Sequence, residues 1–223
     1  MATANELPLA VVSGNRIGLW TELIVVFLFL PLLIYAGALP NWPIPLLLIV
    51  AGYAFWILRR DGAFESVRLV RFRSVWSGLG RVLLRDALLM AIIGVGVWRF
   101  APRLLFSMVE RNPVLWAAIL VLYPLLSVYP QELLFRGFFF HRYEPLFGSG
   151  SAMIIASAAA FSFVHIIFGN WLAVALTFIG GVLFSLTYRK SGSLNPVCLE
   201  HALFGNFLFT IGLGQFFYHA YRL

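Results

Sequence analysis

Long apolar runs dominate the chain, at residues 23–39, 43–58, 87–105, 114–128, 152–168, 172–188 and 196–217. A helix that crosses roughly 30 Å of hydrocarbon at 1.5 Å per residue needs about 20 such residues, so each run is close to one membrane crossing. Lipid offers the backbone no hydrogen-bond partners, and an α-helix supplies its own. The predicted fold class is therefore all-α, a polytopic transmembrane helical bundle of seven to eight helices. Composition excludes the soluble alternative: 61% of the residues are hydrophobic and only 11% are charged, against roughly 25% charged in soluble domains. Six of the seven Trp, at 20, 42, 56, 98, 116 and 171, lie near run ends, as expected for indoles at headgroup level. The eighth crossing would rest on residues 131–147, which carry Glu132, Arg136, His141, Arg142 and Glu144 among Leu and Phe.

Sixteen Lys and Arg against nine Asp and Glu leave a net charge of +7. In a membrane chain such a surplus reports topology and contact with anionic headgroups, and no nucleic-acid partner is expected. Seven Arg and three acids fall at residues 59–86, between the second and third runs. There Phe64, Val67, Val70, Val75 and Leu79 alternate with Arg68, Arg71 and Arg73 at near-helical spacing. This predicts an amphipathic, Arg-rich interfacial helix resting on anionic lipid. The positive-inside rule places the segment in the cytoplasm. Tyr188, Arg189 and Lys190 then fall inside if the chain crosses seven times, and outside if residues 131–147 add an eighth crossing. Residues 1–20 lack a basic start, a sustained apolar core and a small-residue cleavage pattern, so the first helix is expected to direct insertion itself. The lone Cys198 excludes an intrachain disulfide. No internal repeat, low-complexity tract or long linker divides the chain, which reads as one membrane domain, 1–223.

Ionisable groups at membrane depth are costly unless they are paired or face a wet cavity, so each is a functional candidate. Setting aside loop and interface charges leaves Glu132, Arg136, His165, Glu200 and His201, with Gln131 and Asn206 as uncharged companions. All lie in the C-terminal half. Glu132 and Arg136 stand at i and i+4, on one helix face, as an ion pair. Pro130 suits a helix start just before them, and Gly137 would admit a close neighbouring helix. Phe161 and His165 also stand at i and i+4, near the end of a helix thinned by Ser157, Ala158, Ala159 and Ala160. Glu200 and His201 point about 100° apart, and Asn206 lies about 140° round the helix from His201. One carboxylate, two imidazoles and an amide on three helices suit hydrolysis, which needs a base, a group to orient water and donors for an oxyanion. The same Glu132, His165 and His201 also match a catalytic zinc set with one open position.

In chain order, QELLFR (131–136), FSFVH (161–165) and HALFGN (201–206) resemble the EExxxR, FxxxH and late HxxxN or HxxxD signatures of the CAAX protease and bacteriocin-processing (CPBP, or Abi) family. The resemblance covers roughly residues 115–215 as a catalytic core. It implies an intramembrane endopeptidase acting on a membrane-associated protein or peptide, set in a bacterial cytoplasmic membrane. The implied roles give Glu132 the proton of a water held with His165. His201, helped by Asn206, stabilises the oxyanion, and Arg136 holds Glu132, with Gln131, Phe161 and Glu200 in support. No obligatory cofactor is implied, and zinc on Glu132, His165 and His201 is the alternative. Two positions depart from the pattern: Gln131 stands in place of the first glutamate, and Gly205 in place of the last amide or acid, with Asn206 one residue later. The alternative function is a catalytically inactive member that acts as a membrane binding, bacteriocin-immunity or assembly protein. A transporter ranks last, since its polar residues would recur in matching halves.

Overall fold

The computed structural model describes residues 15–69 and 76–217, and every regular element in them is helical. Seven long helices carry the architecture: α1 Arg16–Tyr35, α2 Pro43–Arg60, α3 Trp76–Phe100, α4 Pro113–Arg142, α5 Ser151–Phe168, α6 Trp171–Ser191 and α7 Leu194–Thr210. Five of them (α1, α2, α4, α5 and α6) are long and apolar enough to cross a membrane. α3 is continuous but carries Arg81, Arg85 and Asp86 in its first half, and α7 is 17 residues long. The chain is an integral, multi-pass membrane protein.

Helix boundaries follow local chemistry. Asn112, Asn170 and Ser193 accept from backbone N–H groups of the first turns of α4, α6 and α7, removing donors that a helix start leaves unpaired. α6 ends at Gly192, whose φ of 62° closes the helix in a conformation costly for a residue with a Cβ.

Residues 131–147 were the possible eighth segment, with Pro130 suited to a helix start. They form none: α4 runs unbroken from Pro113 to Arg142, followed by the short helix Glu144–Phe147. Proline in a helix interior loses one hydrogen bond and crowds the preceding turn. Here a π turn at Pro124–Val128, in which the Tyr129 N–H reaches back to the Pro124 carbonyl, widens the helix just ahead of Pro130. The π turn Val25–Phe29 precedes Pro31 in the same way. A third π turn, Leu133–Phe138, follows Glu132 at once, in keeping with the habit of such turns to sit at functional sites.

The ends of the helices meet in an alternating arrangement. Near the start of α1, Glu22 accepts two bonds from Arg142 (3.1 and 2.9 Å) and one from Tyr143 (3.0 Å) at the end of α4. Asp61, just past α2, bonds His141 at 2.8 Å, and Phe140 packs on Tyr188 near the end of α6. Residues 188–190 therefore lie at the same end as 59–69. Of the interfacial helix expected there, residues 70–75 lie outside the described residues. To either side, Ser66–Leu69 forms one 3-10 turn and α3 begins at Trp76.

At the centre, Phe27 of α1 meets Phe135 and Phe139 of α4 edge to face at 5.4 and 5.3 Å. α5 and α6 make the tightest crossing. A Cβ on Gly181 would lie 2.9 Å from the Ala158 backbone, so this glycine, rather than Gly137, is the close-approach position. Gly137 meets only side chains at 3.5 Å or more.

Candidate active site

Glu132 and Arg136 are both fully buried, at 0% exposure. Within α4 the guanidinium lies against both carboxylate oxygens, with Nη1 3.3 Å from Oε1 and Nε 3.2 Å from Oε2. Arg136 then donates from Nη2 to the Gly181 carbonyl of α6 at 3.1 Å and lies over the rings of Phe161 (4.6 Å) and Phe184 (5.4 Å). The cation is thus held by a carboxylate, a carbonyl and two π faces, the kind of compensation a charge at membrane depth requires.

The second partner of Glu132 is His201 of α7, whose Nδ1 lies 2.6 Å from Oε1. A carboxylate can only accept, so Nδ1 carries the proton. In the neutral ring Nε2 is then a lone-pair acceptor, and the group that meets it is the Tyr123 hydroxyl at 3.0 Å. Phe184 stacks on the imidazole at 4.6 Å and Phe161 meets it edge-on at 5.6 Å. The line Arg136, Glu132, His201, Tyr123 therefore runs from buried charge to phenol.

His165 closes α5 in a 3-10 turn. Its Nδ1 donates to the Phe161 carbonyl at 2.6 Å, which again leaves Nε2 as the acceptor. The Phe161 ring touches both imidazoles, at 4.8 Å for His165 and 5.6 Å for His201.

A cavity of about 870 Å³ opens between the helices, and His165, His201, Tyr123, Ser127 and Gln131, with Asn41 and Thr177, supply its polar wall. The rest of its lining is mainly aliphatic and aromatic, from α1 and α2 as well as the C-terminal helices. Glu132 is not among the residues that line it. The neighbouring Gln131 is, with its amide donating to Ser127 at 2.6 Å and its Oε1 buried without a partner.

Two sequence expectations change in detail. Asn206 does not face His201: α7 is regular there, and the amide donates to the Leu120 carbonyl of α4 at 3.3 Å. Glu200 points away from Glu132 toward α3, where Arg85 bridges it to the fully buried Asp86. Asp86 lies in the N-terminal half, so buried charge is not confined to the C-terminal half. It escaped notice because it ends a run of loop-like charges, whereas α3 already begins at Trp76.

Tyr123 was also missed. Its hint in the sequence is a polar-tipped ring inside LVLYPLL, a pattern shared by many apolar helices. As for metal, the carboxylate is occupied by His201 Nδ1 and Arg136, and among the described residues no three His, Cys, Asp or Glu side chains gather as a ligand set. The residues do not fit a zinc site in this arrangement.

No curated protein and no solved structure matches the chain. Residues 112–218 match the family model for Rce1-like, type II CAAX prenyl endopeptidases. That span contains α4 to α7 with Glu132, His165 and His201, and over it the chain is similar to the Rce1-like CAAX prenyl endopeptidases.

Proposed function

We propose that this protein is an intramembrane endopeptidase that cleaves a membrane-associated protein or peptide, with the Glu132–His201 pair as its base. The observation that carries the reading is the 2.6 Å bond from His201 Nδ1 to a fully buried carboxylate, on the wall of a cavity shared with His165. A carboxylate on Nδ1 fixes the tautomer and stabilises the imidazolium that forms when Nε2 takes a proton. Water in the cavity, held by His165 Nε2, gives that proton to His201, and the hydroxide attacks the peptide carbonyl. Glu132 orients and charges the base and does not itself meet the water. Arg136, against both carboxylate oxygens, holds Glu132 in place. The chemistry needs no metal.

Charge asymmetry supports a cytoplasmic position for the 59–86 end, in a bacterial cytoplasmic membrane, with its Arg on anionic lipid. Apart from the buried Arg136, the described cations gather at that end, and only Arg99, Arg103 and Arg111 lie at the other.

The test is hydrolysis by protein reconstituted in liposomes, offered a farnesylated CAAX peptide and transmembrane-segment reporters. Turnover should survive exhaustive chelation and fall by roughly 10³-fold or more in His201→Ala. Loss on chelation that zinc restores overturns the metal-free chemistry. A second reading, a non-catalytic member that uses the cavity to bind, is favoured by Gln131, which puts an amide on the cavity wall where EExxxR patterns carry a carboxylate. Wild-type protein that binds these peptides but cleaves none of them decides for it.

A further inference from the structure

Gly205 stands four residues after His201, one turn further along the same face of α7. The space a side chain would take there is filled from α4: a Cβ on Gly205 would fall 2.2 to 2.6 Å from the ring and hydroxyl atoms of Tyr123. Tyr123 is wedged into that notch, edge-on to Phe209 at 5.5 Å and to His201 at 6.0 Å. Its hydroxyl sits 3.0 Å from His201 Nε2 on the cavity wall. Asn206, the amide the sequence offered for this task, is turned to the Leu120 carbonyl.

We propose that Tyr123 is the oxyanion donor of this site, its phenol standing where the HxxxN pattern carries an amide, and that Gly205 exists to admit it. The proposal rests on the peptidase reading above. In the resting site the phenol O–H donates to Nε2. As substrate binds, the phenol O–H turns from Nε2 to the substrate carbonyl and frees the lone pair; Nε2 then takes the proton of the attacking water, a C–O bond forms and the carbonyl π pair moves onto oxygen. The new Nε2–H now donates to the phenol oxygen, while the phenol O–H holds the oxyanion. Collapse returns that electron pair, breaks the C–N bond and delivers the Nε2 proton to the leaving amine. Water and peptide are consumed, and acid and amine are produced.

The experiment compares Tyr123→Phe, Tyr123→Ala and Tyr123→Ala/Gly205→Asn with wild type in the same liposome assay. An oxyanion donor acts in the transition state, so Tyr123→Phe, which keeps the ring and the packing, should lower kcat roughly 10²–10³-fold with KM within about threefold. The double variant should recover at least about tenfold over Tyr123→Ala, because an amide then fills the notch. Ring ¹⁵N NMR of His201 supplies a readout independent of turnover: the Nε2 resonance should shift in Tyr123→Phe. An active wild type with an equally active Tyr123→Phe overturns the donor role alone, as does an unshifted resonance. A wild type without turnover overturns the peptidase reading and the donor role together.

Discussion

Arg136 shows how one buried cation is made tolerable and what its removal would do. Its guanidinium neutralises Glu132, binds the Gly181 carbonyl and covers two phenyl rings. Removing one partner of such a pair strands the other charge without water, at a cost of about 3–5 kcal/mol. Arg136→Met should therefore be strongly destabilised in SDS titrations. Glu132→Gln/Arg136→Met, which strands no charge, should recover most of that loss while remaining inactive. A double variant as unstable as the single one would mean that Arg136 matters through packing instead. The sequence spacing identified this pair because i and i+4 share a helix face whatever the tertiary fold. It did not identify Tyr123, whose relation to His201 exists only where α4 and α7 touch.

At the scale of elements, the α5–α6 crossing holds the site together. Small residues bring the helices close, as in other membrane interfaces where packing replaces the hydrophobic drive. Ser157 donates to the Phe135 carbonyl of α4 at 2.8 Å, and Ser162 to the Val174 carbonyl of α6 at 2.7 Å. A methyl on Gly181 would meet the Ala158 backbone at 2.9 Å, so α6 must move away, taking with it the carbonyl that holds Arg136. Gly181→Ala should cost about 1–3 kcal/mol by overpacking and lower turnover. Gly96→Ala in α3, with nothing near the new methyl, should do neither. Equal stability of the two variants would remove the crossing from the account. The small-residue run at 157–160 was legible as a thin helix surface. Its partner glycine was not, because nothing in a sequence says which of two adjacent glycines, Gly180 or Gly181, faces the neighbour.

The whole molecule sets orientation and access. The ends of α2, α4 and α6 gather at one side through Asp61, His141 and Tyr188, which puts Gly62 and Lys190 together and Arg111 opposite. In a Cys198→Ser background, Gly62→Cys and Lys190→Cys should react with an impermeant maleimide only in inverted vesicles, and Arg111→Cys only in right-side-out vesicles. Labelling of Lys190→Cys and Arg111→Cys from one side would overturn the arrangement.

The solvent, the helical class, the approximate runs and the three polar clusters were determined by the sequence alone. Each is a property of neighbours along the chain: hydropathy within a run, or residues one helical turn apart. The continuity of α4 through Pro130 was decided by tertiary structure, because π turns absorb the missing donor only where packing supports the wider helix. The same holds for which of Gln131 and Glu132 meets the cavity. Those consecutive residues differ by about 100° around one helix, so a small rotation of α4 exchanges their surroundings, and only the helices packed against it fix that rotation.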